Sequence, residues 1–488
     1  MSSFEDLKNA RLAKLKRLTD ARIVSYPANG VPDRTALGDA ASRFDELADK
    51  KSITLAGRVR ALRGHGGSLF CDLGDGQNQF QVYLKKDELG DDSYALFEEG
   101  VDIGDFCEFS GSLFLTQKKE KSLLAKSWTF LAKSMRPLPE KRHGLQDAEE
   151  RSRRRYLDLI ANDGVRERFE ARSRIISGLR HFLDTEGFLE VETPLLHPVA
   201  GGAVARPFVT HQNALNIDLF LRIAPELYLK RLLIGGFEKI YEIGRNFRNE
   251  GVDAEHNPEF TMLELYEAYA NAETHRAFLE RLFGALIAAL HLKSTLRYRE
   301  VELSFGRRFD TMTFEEGLER FALIPDYAML SESDMEARAR QLGIEREKGD
   351  TKAKLADKVF KKVCVPKIIQ PTFVLNYPLE ILPLAKESET HPGFADMYQL
   401  IIAGVEVAKG FSELNDPAEQ RRRFEAQEAE RAAGSEEANR MDEDFVEAME
   451  YGMPPAAGIG IGIDRLVMLL TDTANIRDVI LFPTMRPR

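Results

Sequence analysis

Near its end the chain alternates glycine and isoleucine: Gly458, Gly460 and Gly462 interleave with Ile459, Ile461 and Ile463, and Asp464-Arg465 then leads into LVMLL. Side chains of a strand point to opposite faces in turn, so this strand has one isoleucine face and one bare face. The isoleucines require a core. The bare face admits either a flat ligand brought close to the backbone or a tightly packed helix. LVMLL reads as a helix, with Arg465 at its opening. KIYEIGRNF, EFTMLELYEAY, PTFVLNYP, FLEVETPLL, LFLRIAP and MYQLIIAGVEVAKGFSEL read as further strands, and ERFEARSRIISGLRHFLDTEGF as a helix closed by a glycine. The elements follow one another without a βαβ rhythm, which predicts an α+β fold on an antiparallel sheet flanked by helices.

A chain of 488 residues is too long for one core, and a second unit is legible before this one. ITLAGRVRAL, SLFCDL, QFQVYL, DFCEFSGSLFL and SLLAKSWTFL are five short alternating runs, with turn signals GHGG and GDGQNQ between them. That pattern predicts a small barrel of the oligonucleotide-binding (OB) kind. MRPLPEKRHGL reads as a linker, so the expected division is 1–145, a helix and barrel, and 146–488, the sheet domain. The leading helix, about Phe4 to Asp20, carries Lys8, Arg11, Lys14, Lys16 and Arg17; it is either a solvated surface helix or a strip that touches phosphates.

Composition narrows the function. Hydrophobic residues are 43% and charged residues 30%, the balance of a globular protein. No apolar run reaches membrane-spanning length and the start lacks a secretory h-region, so the expected location is cytoplasmic, with no membrane partner. Cys71, Cys107 and Cys364 are odd in number and scattered, which excludes a disulfide framework and a four-cysteine zinc site. The net charge of −11 advertises no nucleic-acid partner, although location of the basic residues matters more than their sum. GxxxxGK[ST], GxGxxG, HExxH and GxSxG are all absent.

What remains is arginine, carboxylate and glycine chemistry. In EIGRNFRNEGVDAEHNPEF, two strand-like arms carry Arg245, Arg248, Glu250, His256 and Glu259 around a loop. Arginines there can grip phosphate or carboxylate oxygens through paired bonds; the alternative is a surface hairpin with charge pairs. Glu264 and Tyr266 share one strand face, and Glu413 belongs to another strand-like run. Two carboxylates and a phenol facing one pocket suit an ammonium group.

These segments resemble the three signature motifs of the class II aminoacyl-tRNA synthetases: GFLEVETPLL the first, FRNE with HNPEF the second, GIGIGIDR the third. VAGGAVARPF, RIAPELYLKRL, NPEFTMLELYEAYA, GFSELND and the closing RDVILFPTMRP are similar to the bacterial lysyl-tRNA synthetases in particular, and the likeness spans nearly the whole chain. The resemblance implies a six-stranded antiparallel catalytic sheet, an anticodon-binding barrel and a homodimer with the first motif at its interface. It further implies that ATP activates L-lysine to lysyl-adenylate, with magnesium, before transfer to tRNA(Lys). By that resemblance Arg248 and Arg465 are catalytic, and ATP is held by Arg248, Glu250, His256, Phe260, Glu406 and Arg465. Lysine is held by Gly202, Glu226, Arg248, Glu264, Tyr266, Lys409, Phe411 and Glu413, and the anticodon is read by Arg63, Phe70, Gln81 and Glu120. Two rivals, a relative charging another amine and a tRNA-binding protein without catalysis, separate from this reading in a lysine-dependent exchange assay.

Two residues depart from the family's pattern. Magnesium there is bound by Glu406 and the residue seven before it, here Gln399 rather than a carboxylate. Lys409 stands where asparagine is usual. Both metal-site residues, Gln399 and Glu406, remain expected ligands; either Lys409 compensates the charge lost at Gln399, or Lys409 turns to solvent and Gln399 is a neutral variation.

Overall fold

The computed structural model describes residues 4–139, 144–432 and 440–487. Residues 140–143 of the expected linker lie outside them. The chain divides into two compact units that part between Arg166 and Glu167.

The first unit begins with helix α1 (Phe4–Asp20) and builds a closed barrel from β1 (Ile53–His65), β2 (Ser68–Gly74), β3 (Gln79–Lys85), β4 (Phe106–Leu115) and β5 (Lys121–Ala132), in the order β1-β2-β3-β5-β4. Alternation fills its interior: Cys71, Leu73, Val82, Leu84, Cys107, Phe109 and Leu123 all point inward and are buried. Burial pushes the Cys71 and Cys107 thiols up, so they pack as small apolar groups. Helix α2 (Asp91–Gly100) plugs one side, with Phe97 edge-on to Phe109 and Trp128. The basic residues of α1 are largely engaged within this unit. Arg11 donates to the carbonyls of Ser134 and Ile103, Lys14 pairs with Asp102 at 2.6 Å, and Arg17 pairs with Glu99 at 3.1 Å.

Lys133, just past β5, has a side chain that is 0% exposed and donates to Gly100 O, Asp102 Oδ2 and Asp105 Oδ2 at 2.7–2.8 Å. Asp105 in turn accepts from the backbone N–H groups of Asp102 and Ser134. Two short helices, Ala148–Arg153 and Arg155–Ala161, belong to this unit, the second through Arg60, which donates to Ile160 O.

The second unit begins within the first turn of α3 (Val165–Thr185). Its sheet has eight strands: β6 (Leu189–Glu190), β7 (Lys239–Phe247), β8 (Glu259–Ala268), β9 (Asp310–Thr313), β10 (Thr372–Leu375), β11 (Met397–Ile402), β12 (Val405–Ser412) and β13 (Ala456–Gly462), in the order β9-β10-β11-β12-β13-β8-β7-β6. The six inner strands are antiparallel throughout, and one parallel strand is added at each edge. The expected six-stranded sheet is therefore the centre of a larger one.

FLEVETPLL was expected as one strand; it pairs only at Leu189–Glu190 and Leu196–His197, because Pro194 between them has no N–H to give a ladder. One sheet face packs on α5 (Ala272–Ala289) and α6 (Ile463–Leu470). Phe278, Leu279, Leu282, Phe283, Leu286 and Ile287 of α5 recur at helical spacing and meet Leu263, Leu265, Ile459 and Ile461. Each such side chain contributes roughly 1.5–3 kcal/mol on burial. Asn271 caps α5 by accepting from Thr274 N, and the Thr274 hydroxyl accepts from Asn271 N in return.

Candidate active site and barrel surface

The opposite sheet face carries the polar groups. Cross-strand pairing aligns Gln399, Lys409, Gly460, Glu264 and Glu242 in one row and Met397, Phe411, Gly458, Tyr266 and Ile240 in the next. A Cβ on Gly458 would strike Glu413 Oε1 and the Tyr266 ring, and one on Gly460 would lie 3.0 Å from the Met262 methyl. The bare glycine face is a floor, and the carboxylates stand around it. A bulge in β12 sets Ile401 opposite Glu406 while Leu400 faces Ala408. Val407 and Ala408 both enter the core, so Glu406 returns to the same face as Lys409.

At one end of this floor stand Glu226, Glu264, Tyr266, Phe411 and Glu413. Glu226 opens helix α4 (Glu226–Ile234), and Gly202 lies against it: with φ +87° and a would-be Cβ 3.1 Å from Glu226 Cβ, position 202 has no room for a side chain. The Tyr266 hydroxyl donates to Glu264 Oε2 at 3.2 Å. Burial, reinforced by Glu226, pushes the Glu264 carboxyl up to about 8. Burial likewise raises Glu413, against the pull of Lys230. Neither Glu413 oxygen receives a hydrogen bond from the described residues. Oε2 is held through charge by Lys230 Nζ at 2.5 Å, and Oε1 is free.

The other end is arginine-rich. Arg248 stacks over Phe260, its guanidinium carbon 5.0 Å from the ring centroid, and its Nε is buried with no hydrogen-bond partner among the described residues. Burial pulls its affinity for the proton below the ordinary value, opposed by Glu250, Glu264 and Glu406. Arg465 donates to the carbonyl of Glu406 at 3.1 Å and meets His256 Nε2 at 2.9 Å. His256 Nδ1 lies 2.9 Å from Asp253, which fits a neutral ring carrying its proton on Nδ1 and accepting from Arg465. Glu250 is exposed beside Arg248. Arg245 and Glu259 form an exposed pair at 3.5 Å, so this part of the hairpin is a surface charge pair. Buried Arg222 and Glu242, at 2.5 Å, brace β7 on the same face through Thr193.

Among the described residues no group of three or more His, Cys, Asp or Glu side chains is arranged to hold a metal. Gln399 Oε1 accepts from the Tyr377 hydroxyl at 2.6 Å, and half-buried Lys409 stands across from it. Burial lowers the Lys409 ammonium, while Glu406 and Asp357 favour its charge and Lys361 opposes it. The donor set therefore fits a magnesium ion held by one carboxylate, Glu406, and completed by phosphate oxygens, but not a two-carboxylate cage.

On the barrel, Arg63 makes two parallel bonds to Asp72, at 2.7 and 2.8 Å. Phe70 stacks on Tyr83 with centroids 4.6 Å apart, and Phe114 continues the aromatic surface at 5.9 Å. Gln81 accepts from Ser122, and Glu120 is exposed at the β4–β5 turn. Sequence reasoning missed Tyr83 and Phe114, although strand alternation puts Tyr83 on the same face as Gln81. It also missed Lys230.

Comparison with known proteins agrees with this geometry. The family described as tRNA synthetases class II (D, K and N) matches residues 147–486, and the OB-fold nucleic acid binding domain matches residues 53–131. The lysine–tRNA ligase of Moorella thermoacetica is 51% identical over 99% of this chain and 98% of its own length. That of Carboxydothermus hydrogenoformans is 48% identical over the same shares. The lysine–tRNA ligase of Lactiplantibacillus plantarum is 50% identical over 91% of this chain and 89% of its own length. With its barrel, its antiparallel sheet and its glycine-floored site, the chain belongs to the lysine–tRNA ligase family of the class II aminoacyl-tRNA synthetases.

Proposed function

We propose that the chain activates L-lysine with ATP and transfers it to the 3′ end of tRNA(Lys). A lysine carboxylate oxygen attacks the α-phosphorus, pyrophosphate leaves, and a ribose hydroxyl of the tRNA end then attacks the adenylate carbonyl, releasing AMP. The observation that carries this reading is the buried carboxylate pair Glu264 and Glu413 beside the Tyr266 hydroxyl, with Glu413 Oε1 free of any hydrogen-bond partner among the described residues. An ammonium of the substrate satisfies it, and a neutral analogue leaves buried carboxylates stranded.

Arg248 takes the lysine carboxylate and the α-phosphate, and its contact strengthens as charge develops there. Glu250 accepts from the adenine amino group, Phe260 and Arg465 sandwich the ring, and His256 with Arg465 meets the outer phosphates. Gly202 and Glu226 bound the α-amino end, while Phe411 and Lys409 close the far side. No protein nucleophile is needed; positioning and charge neutralisation supply the rate. Magnesium arriving with ATP would neutralise phosphate charge, held by Glu406 with Gln399 contributing at most a carbonyl oxygen. Lys409 supplies part of the missing positive charge. Magnesium titration of wild type, Gln399→Glu, Lys409→Asn and the double variant checks that exchange: strongly non-additive magnesium requirements are expected, and additive ones would separate the two residues.

Arg63, Phe70, Gln81 and Glu120 read the anticodon, with Tyr83 extending the stacking surface. A homodimer is supported by the exposed apolar residues Leu189, Leu195, Leu196, Val204 and Val209 around the first motif. Sedimentation equilibrium tests it. No helix of the described residues is long and apolar enough to cross a membrane; the proposed location is the cytoplasm. Lysine-dependent ATP–pyrophosphate exchange is the deciding assay, and its absence with charging-competent tRNA and ATP present would sink the reading.

A further inference from the structure

We infer that Lys230 is a positioning residue of the amino-acid pocket: a resident ammonium that grips Glu413 Oε2 and Glu226 Oε1 from the helix side and leaves Glu413 Oε1 turned toward the substrate's ammonium. The inference rests on the lysine reading of this pocket. Its ground is geometric. Lys230 lies one turn along α4 from Glu226, and its side chain is 0% exposed. Nζ is 2.7 Å from Glu226 Oε1, 2.5 Å from Glu413 Oε2 and 5.5 Å from the Phe411 ring centroid.

Three carboxylates, Glu226, Glu264 and Glu413, converge here, and uncompensated they would not all ionise, because burial of unpaired like charges is costly. One resident ammonium neutralises part of that charge without filling the space above the glycine floor. The position of Glu413 Oε1 follows: with Oε2 fixed by Lys230, rotation of the carboxylate is blocked, and the remaining lone pairs face the side that a Cβ on Gly458 would occupy. The substrate then shares Glu413 with a lysine of the protein, each ammonium on its own oxygen.

The groups facing Glu413 are Glu226 and Lys230 from α4, Glu264 and Tyr266 from β8, Tyr398 from β11 and Gly458 from β13, with the Phe411 ring of β12 against Lys230. Among the described residues Lys230 is the one cation paired with it. Removing that cation must favour the protonated carboxyl, so lysine binding should need a higher pH.

The test is lysine-dependent ATP–pyrophosphate exchange by the full chain between pH 6.5 and 9, resolving kcat and KM for lysine and for ATP. Lys230→Met is expected to raise the lysine KM about 30-fold or more, the lower range for losing one partner of a buried charge pair. The ATP KM should stay within about twofold, and the acidic limb of the lysine profile should move to higher pH. Lys230→Arg, which keeps the charge, should leave that limb in place. If Lys230→Met does not fold, Lys230→Gln carries the same expectation. A folded neutral variant with an unmoved limb, or with lysine and ATP KM raised equally, overturns the inference while leaving the lysine reading intact. Wild type that fails to exchange with lysine overturns the reading itself, and this inference with it.

Discussion

Each unit of this protein buries a lysine between two carboxylates, and the two sites are built to opposite ends. Lys133 in the barrel has three good acceptors, and its partner Asp105 is further occupied by two backbone N–H groups. That network is closed. Lys230 in the sheet domain also reaches two carboxylates, but one of them, Glu413, retains an oxygen that nothing in the described residues satisfies. A native interior rarely tolerates such an orphan without a use for it. The lesson is that burial alone does not mark a functional charge; an unsatisfied acceptor beside it does.

The contrast can be broken most forcefully at Lys133. Removing one partner of a buried charge cluster costs about 3–5 kcal/mol, so Lys133→Met should lower barrel stability by that much in urea unfolding. It should leave the lysine KM in pyrophosphate exchange unchanged. A raised lysine KM would mean that the closed site is not merely structural.

On the open side, Arg248→Ala should remove about 2.7–4 kcal/mol of transition-state stabilisation, seen as a 100- to 1000-fold loss of exchange with thermal unfolding little altered. Exchange within a few-fold of wild type would refute its role. A smaller effect separates the units from each other. Phe70→Ala or Tyr83→Ala should cost about 1–3 kcal/mol of tRNA binding, the worth of one stacked base, while exchange without tRNA stays normal.

The smallest effect is a proton. The Glu264 carboxyl, raised to about 8, is mostly protonated at pH 7 in the empty pocket. Binding an ammonium favours the ionised form, so lysine binding should release a proton and tighten as pH rises toward 8, by at most about 1.4 kcal/mol per pH unit. Calorimetry in buffers of different ionisation heat reads this directly; a heat independent of buffer would deny it.

Much of the sheet domain is readable from the chain because period-2 patterning is strong where both faces are specified. KIYEIGRNF is the strand Lys239–Phe247 residue for residue, and the glycine–isoleucine alternation ends where the helix at Ile463 begins. The parallel edge strand Asp310–Thr313 escaped, since four residues carry too little pattern to be seen. Lys230 was illegible for a different reason. Glu226 and Lys230 at i,i+4 look like a solvated helix pair. What betrays their burial is that Leu227, Leu229 and Leu233 are buried too, leaving α4 with little face for water. In the barrel, strand alternation puts Phe70, Gln81 and Tyr83 on the outside, but which strands neighbour one another is set by closure, not by local sequence.

The bulge in β12 also makes this stretch of chain sensitive to counting rather than to spelling. Val407 and Ala408 do no more than fill core, so other apolar residues of similar size can replace them at modest cost. Loss of a single residue there would straighten the strand and invert inside and outside for everything before it. Glu406 would turn into the hydrophobic layer and Val405 onto the catalytic face. An alignment column at this point thus carries its information in the gap, not in the letter: sequences of the same length can drift freely across these positions, while one codon lost would unmake the nucleotide end of the site.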